Sequence, residues 1–282
     1  MTNTTPRIEH IRHANGVVEL QLARPDKMNA LDPAMFEALV DAGEGLKRDG
    51  DVRAVVIGGQ GKAFCAGLDM QSFDRMAGGD GSGSELLGKG AASDILARTH
   101  GISNVAQYVA MVWREVPVPV IAALHGVAFG GGLQVALGAD IRLVAHGTRM
   151  SVMEVKWGLV PDMGGMVLMR ELLRDDVMRE LTYTGRIVEA EEAVRIGLAT
   201  RLSDDPRSEA LRLAAEIAGK SPDAIRGGKR LLNASASMDA ASLLLRESVE
   251  QKALMGSANQ SEAVRANMEK RAPQFVSAMP AP

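Results

Sequence analysis

A buried strand that leads through three consecutive glycines into a helix constrains the fold of this chain most strongly. Residues 118–124 form an apolar run, and an apolar helical pattern over 133–139 follows the triplet Gly130-Gly131-Gly132. Glycines at the start of a helix leave the backbone N–H groups bare, so that a ligand can approach them closely. The sequence therefore predicts that the amides of this triplet line a binding site.

The segments on either side alternate between strand and helix patterns. Asn15-Gly16 joins two stretches of alternating polarity, which predicts a hairpin. Asp32 and Pro33 have the side chains typical of a helix start, and this helix extends to about Arg48. This alternation predicts an α/β core. The other predicted elements are strands over 52–57, 141–145, 150–153 and 199–202, and helices over 93–115, 165–183 and 189–196.

Composition narrows the functional classes. The 282 residues carry a net charge of −3, so the chain lacks the basic excess of proteins that bind nucleic acids or membrane surfaces. It contains one cysteine, which fits a reducing compartment. Residues 1–10 lack the apolar core of a secretory signal, and prolines and glycines interrupt the apolar stretch 116–139. The spacing of His, Cys and carboxylates predicts no metal site. We expect a cytoplasmic protein that binds neither nucleic acid nor membranes.

Two regions differ from the rest in pattern. The glycine-rich segment 77–93 is predicted to be flexible, either as a cover for a site or as a plain surface insertion. From residue 206 onward the pattern is helical, with helices over about 206–219, 222–234, 239–256 and 259–271. We therefore divide the chain into a core, 1–204, that holds the site and a C-terminal helical region, 205–282.

Small residues follow two of the predicted strands, and their amides can meet. Ala66-Gly67 follows the strand over 52–57, and the glycine triplet follows the strand over 118–124. Two convergent N–H groups stabilise a developing oxyanion, and each donor is worth on the order of 3–4 kcal/mol of barrier. Tight packing explains either glycine segment alone, whereas the two together favour an oxyanion site.

Five segments carry a family resemblance in the expected order along most of the chain. They are RPDKMNAL at 24–31, KAFCAGLD at 62–69, HGVAFGGGLQ at 125–134, GLVPDMGG at 158–165 and EKRAPQF at 269–275. Together they resemble the crotonase (enoyl-CoA hydratase/isomerase) superfamily. The resemblance implies a spiral of ββα units with a C-terminal helical trimerisation region, and a homotrimer or dimer of trimers. It also implies an acyl-CoA thioester substrate and no cofactor, since coenzyme A is part of that substrate.

The resemblance also assigns binding residues. It implies that the amides of Ala66 and Gly131 hold the thioester oxygen while an enolate forms. It implies further contacts to the coenzyme A part of the substrate, from Lys27, Ala30, Ala63, Phe64 and Leu68 along one wall and from Lys270 at the phosphates.

The proton-transfer residues depart from the hydratase pattern. Hydratases of the superfamily carry two glutamates, and this chain has Gln134 at the first position and Glu154 at the second. An amide exchanges no proton at neutral pH. Asp162 resembles the carboxylate of the isomerase branch, so we predict Asp162 as the proton shuttle and Glu154 as a second acid or base. Gln134 is then expected to hydrogen-bond substrate or water.

This pattern favours an enoyl-CoA isomerase. Three alternatives remain open at this stage. They are an enoyl-CoA hydratase that adds water to a 2-enoyl thioester, a non-catalytic acyl-CoA-binding protein, and a thioester hydrolase that uses Glu154 or Asp162 as its base.

Overall fold

The computed structural model describes residues 6–77 and 94–278. Apart from Ala77, the predicted flexible segment 77–93 lies outside the described residues. The nine strands of the described chain are β1 (Ile8–Arg12), β2 (Val17–Leu22), β3 (Ala54–Gly59), β4 (Val120–Leu124), β5 (Val127–Phe129), β6 (Ile141–Ala145), β7 (Arg149–Ser151), β8 (Val188–Glu189) and β9 (Arg201–Ser203).

Six of these strands form one sheet in the order β1-β2-β3-β4-β6-β9. The predicted hairpin is confirmed, because β1 and β2 pair antiparallel with Ile8 opposite Leu22. Every other neighbouring pair in this sheet is parallel. A smaller sheet has the order β5-β7-β8, with β5 parallel to β7 and β7 antiparallel to β8. The parallel pairs confirm the predicted α/β class.

Helices connect and cover these strands. The described helices are α1 (Pro33–Arg48), α2 (Met70–Ala77), α3 (Val105–Glu115), α4 (Gly131–Gly138), α5 (Gly165–Met169), α6 (Asp175–Thr184), α7 (Ala190–Ile196), α8 (Pro206–Ala218), α9 (Pro222–Ser235), α10 (Ala240–Leu254) and α11 (Ala258–Met268), with 3-10 helices at Pro25–Lys27 and Glu154–Trp157. Asp32 caps α1 as predicted, since its side chain accepts a hydrogen bond from the Met35 N–H.

Two predicted helices were too long. The helix predicted over 93–115 begins only at Val105, because Asn104 and Gln107 form a capping box that fixes the first turn there. The helix predicted over 165–183 is interrupted between α5 and α6. The interruption lies at Arg174, whose backbone is extended immediately before α6.

Side chains of β3 alternate between two apolar layers, so the large sheet is covered on both faces. Val55 and Ile57 belong to the larger core, which includes side chains of α1, α3 and α4. Ala54 and Val56 face the other layer, where Ala210 and Ala214 of α8 cover the sheet. The predicted helical region thus begins with a helix that packs on the core sheet. No described helix is long and apolar enough to cross a membrane.

Candidate active site

A cavity of about 250 Å³ opens at the N-terminus of α4. Its wall is largely apolar and includes Phe36, Met70, Phe73, Trp157, Leu159 and Met163. Among the described residues that line it, the polar side chains are Gln134, Glu154 and Asp162. The three residues that the sequence connects with proton transfer therefore line one apolar cavity.

The segment after Phe64 runs beside the segment that leads into α4. Cys65 and Ala128 form a parallel bridge, in which the Cys65 N–H donates to Val127 O and the Phe129 N–H donates to Cys65 O, each at 3.1 Å. Beyond this bridge, the first segment continues to Leu68 and the second to Gly131. Both residues line the cavity.

Gly67 allows the two segments to approach this closely. Its φ is +91°, and a Cβ added there would lie 2.7 Å from Phe129 O and 3.8 Å from the Gly131 nitrogen. An L side chain meets both a steric clash and an unfavourable backbone conformation at this position. The glycine predicted from the sequence is thus required by the close contact.

The structure corrects the predicted role of Ala66. Its N–H donates to Met28 O at 2.9 Å, so it has no proton left for a thioester oxygen. Within residues 6–77 and 94–278, the amides of Leu68 and Gly131 donate to no protein acceptor. Leu68, which the sequence assigned only to the coenzyme A wall, carries the available amide beside Gly131.

The acceptor of the Ala66 N–H, Met28 O, lies in a loop with an unusual backbone conformation. Met28 and Asn29 both have left-handed backbone conformations, with φ of 47° and 54°. Non-glycine residues adopt this conformation at a cost of about 1 kcal/mol or more each. The Asn29 side chain holds the loop, since its Nδ2 donates to Gln60 O and Ala63 O, both at 2.9 Å. No local sequence pattern shows which amide such a loop will engage.

Gln134 lies one turn after Gly131 on α4 and is 2% exposed. Its Oε1 accepts hydrogen bonds from the Met163 and Gly165 N–H groups, both at 2.9 Å. Its Nε2 donates to Glu154 Oε1 at 2.6 Å. Gln134 lines the cavity as predicted. Its amide, however, forms hydrogen bonds with protein groups, whereas hydrogen bonds to substrate or water were expected.

Glu154 is the first residue of the 3-10 helix Glu154–Trp157 and is 9% exposed. Burial is the main cause that raises the pKa of its carboxyl, and the negative charge of Asp162 raises the pKa further, while the Gln134 hydrogen bond opposes both. In the described chain, Glu154 Oε2 is buried and has no hydrogen-bond partner. Of the two carboxyl oxygens, it is therefore the one that the described residues leave unpartnered.

The Asp162 carboxyl is exposed to the cavity. The surrounding apolar wall still desolvates it, and this raises its pKa. Asp162 is not a helix cap, since α5 begins after Gly164 without a side-chain cap. Its carboxyl is therefore free for chemistry.

The structure does not bring the other predicted coenzyme A contacts to this cavity. Phe64 is fully buried in the core, Ala30 and Ala63 are also buried, and Lys27 and Lys270 are exposed outside the cavity wall. Their contacts with coenzyme A stay predictions.

The cavity wall contains an aromatic pair that was not predicted from the sequence. The rings of Phe73 and Trp157 stack with their centroids 4.3 Å apart and their planes at 20°. Phe73 belongs to α2, whereas Trp157 ends the 3-10 helix that begins at Glu154. A pairing across so many residues leaves no local signal. In the described part of the chain, no cluster of His, Cys, Asp and Glu could hold a metal ion.

The chain is similar to known proteins along most of its length. Residues 12–278 match the family described as "Enoyl-CoA hydratase/isomerase". The chain is 33% identical over 219 residues to mouse mitochondrial Δ(3,5)-Δ(2,4)-dienoyl-CoA isomerase, covering 76% of this chain and 64% of the mouse protein. It is 30% identical over 277 residues to human mitochondrial methylglutaconyl-CoA hydratase, covering 95% and 76% of the two chains.

A solved structure shows the same architecture. Enoyl-CoA hydratase from Polaromonas sp. JS666 superimposes with a TM-score of 0.83 at 27% identity, over 95% of this chain and 99% of that one. The agreement confirms the fold class predicted from the sequence.

Proposed function

Because the chain belongs to the enoyl-CoA hydratase/isomerase family, we propose that it moves a carbon–carbon double bond within an acyl-CoA thioester. One observation carries the proposal. Glu154 and Asp162 line a single apolar cavity beside the available amides of Leu68 and Gly131. An isomerase needs a base, an acid and an oxyanion site, and this cavity supplies all three.

The backbone amides hold the thioester carbonyl oxygen. Asp162 removes a proton from the carbon next to the carbonyl, and the electron pair of the broken C–H bond moves to the carbonyl oxygen as an enolate. Each of the Leu68 and Gly131 donors then stabilises the growing charge by about 3–4 kcal/mol. The N-terminus of α4 adds a favourable dipole at Gly131.

Protonation at the far end completes the shift. Glu154 delivers a proton from its carboxyl group to the distant carbon, so that the old double bond is consumed and the new one forms next to the carbonyl. Asp162 ends the step protonated and Glu154 ionised, and proton exchange with solvent restores the pair. The Asp162 charge favours protonated Glu154, which fits this division of roles.

The cavity wall indicates the class of acyl group. Aromatic and methionine side chains line the cavity together with the two carboxyls, and Phe73 stacks on Trp157. A charged acyl terminus would be desolvated there without an opposite charge. We therefore propose uncharged, apolar acyl groups as substrates.

Hydration of a 2-enoyl thioester is the second candidate. It is favoured by Glu154, which keeps the second carboxylate of the hydratase pattern and lines the cavity. The first candidate is stronger, because Gln134 cannot supply the second proton-transfer group of a two-carboxylate hydration.

The C-terminal helices support a further proposal on assembly. Leu244 and Leu245 of α10 and Met268 of α11 are more than half exposed in the single chain. Burial of such side chains favours association, and we propose a homotrimer or a dimer of trimers through region 205–282. Light scattering of the purified protein measures this mass directly.

A substrate panel tests the reaction. The purified protein is incubated with 3-enoyl-, 3,5-dienoyl- and 2-enoyl-CoA esters of several chain lengths, and the products are identified by chromatography and mass spectrometry. We expect the first two to yield isomers of unchanged mass with the double bond conjugated to the thioester. A 3-hydroxyacyl product would favour hydration, free coenzyme A would favour hydrolysis, and binding of every ester without turnover would refute the enzymatic proposal.

A further inference from the structure

We propose that Gln134 is a positioning residue that fixes Glu154 against the 162–165 loop by holding Glu154 Oε1, so that the exchangeable proton of this carboxyl lies on Oε2. The inference deepens the proposed function and rests on it for the kinetic readout. The geometry that suggests it stands on contacts among protein groups alone.

The orientation of the Gln134 amide is determined by its surroundings. Its oxygen lies 2.9 Å from two backbone nitrogens, those of Met163 and Gly165, and each of these nitrogens carries a hydrogen. A flipped amide would set its own N–H groups against these two donors. The nitrogen must therefore face Glu154, where it donates to Oε1 at 2.6 Å.

This orientation distinguishes the two oxygens of Glu154. Oε1 is held by Gln134, whereas Oε2 is buried without a partner in the described chain. A carboxyl with one oxygen held keeps a fixed orientation relative to the cavity, and proton transfer to a bound carbon requires such an orientation. Gln134 thus connects the acid to the loop that bears Asp162.

The packing around Gln134 supports the same role. A Cβ added to Gly165 would lie 2.7 Å from Gln134 Oε1, and one added to Gly130 would lie 3.4 Å from Glu154 Oε1. Glycine at 165 leaves room for the glutamine oxygen to reach the backbone amide. The contact between Gln134 and Gly165 therefore depends on both residues. Helix α4 carries both Gly131 and Gln134, the residue that orients Glu154.

Gln134→Glu tests the proposal with little change in shape. The new carboxyl can still accept from the Met163 and Gly165 amides, but its second oxygen replaces the N–H donor to Glu154. The two carboxyls then share one proton. The apparent pKa at which the pair loses this proton is expected to lie above the pKa of Glu154 in the wild type. Carbon-13 NMR of labelled glutamate carboxyls, with Glu154→Gln for assignment, measures this titration without any substrate.

Gln21→Glu is a matched control. Gln21 is also buried and donates its Nε2 to a buried glutamate, Glu19, at 2.6 Å. Gln21 does not line the active-site cavity. The control introduces the same carboxyl pair elsewhere and is expected to leave kcat and the pH profile of isomerisation unchanged.

In Gln134→Glu we expect the alkaline limb of the kcat profile to move up by about one pH unit or more, and kcat at the optimum to fall on the order of tenfold with KM within about twofold. Gly165→Ala is a second variant, in case the first fails to fold. Its methyl group displaces Gln134 from the Gly165 amide, and the limb is expected to move in the same direction. Gly228→Ala, whose added Cβ meets nothing within 4 Å, is its control.

The outcomes separate the two proposals. An unchanged Glu154 titration in Gln134→Glu overturns the positioning role, whether or not the protein isomerises the tested esters. A shifted titration in a protein that isomerises none of them supports the positioning geometry and refutes the proposed function. A shifted titration with kcat and pH profile unchanged also overturns the role in catalysis.

Discussion

Replacing Gly67 by alanine separates the two backbone segments that carry the Leu68 and Gly131 amides. The added Cβ would lie 2.7 Å from Phe129 O, whereas an ordinary contact between carbon and a carbonyl oxygen is about 3.3 Å or longer. The segments must therefore move apart by roughly 0.6 Å, the difference between these distances. The neighbour is backbone, so no side-chain rotation can relieve the contact.

A shift of this size takes one donor away from the thioester oxygen. Loss of a single oxyanion donor lowers kcat by about 10²- to 10³-fold, and we expect Gly67→Ala to lose kcat in this range. Because the donors act mainly in the transition state, KM is expected to change much less than kcat. Steady-state kinetics with a 3-enoyl-CoA ester measures both constants.

Gly147→Ala is the matched control for backbone strain. Gly147 has φ of +72°, and a Cβ added there meets nothing within 4 Å. The control pays the backbone cost of about 1 kcal/mol without a collision, which corresponds to a loss of about 2–4 °C in Tm. A folded Gly67→Ala enzyme with wild-type kcat would refute the assignment of the oxyanion site to Leu68 and Gly131.

Three further predictions concern the same cavity. Asp162→Asn is expected to lower kcat for isomerisation by about 10²- to 10⁴-fold, because an amide cannot take the proton; an unaffected rate would move the base to Glu154. The wild-type kcat profile is expected to be bell-shaped with both limbs above the ordinary carboxyl range of about 4, because the pKa values of Asp162 and Glu154 are both raised; a rate independent of pH between 4 and about 9 contradicts this. Since a raised folded-state pKa means stability that is present at low pH and lost as pH rises through that pKa, Glu154→Gln is expected to raise Tm more at high pH than at low pH; an equal change at both, measured by calorimetry, would show that Glu154 is not desolvated.

Local patterns predicted most of the fold. The Asn15-Gly16 turn, the Asp32 cap and the apolar strands correspond to the observed elements within a few residues. The predicted start of α3 was wrong. Ile95 and Ile102 follow a helical spacing but are exposed, and Asn104 caps the helix at its observed start. Apolar spacing identifies a helix well only where those side chains are buried.

The sequence predicted which residues form the site better than it predicted which of their atoms take part. The sequence brought Gly131, Gln134, Glu154 and Asp162 to one cavity, as the structure has them. It assigned the second amide to Ala66, since the left-handed turn at Met28 that occupies that amide is stabilised by distant contacts. Hydrogen bonds of this kind depend on tertiary structure, which periodicity and motif spacing do not encode.

Turnover of a 3-enoyl-CoA ester in deuterated water tests the central claim most directly. Removal of a proton by Asp162 and delivery of another by Glu154 predict a 2-enoyl product that carries deuterium at the carbon that is newly protonated, as read by proton NMR and mass spectrometry. Asp162→Asn is expected to show neither migration nor label. Formation of a 3-hydroxyacyl-CoA from the 2-enoyl ester, with no migration of the 3-enoyl double bond, would contradict the account.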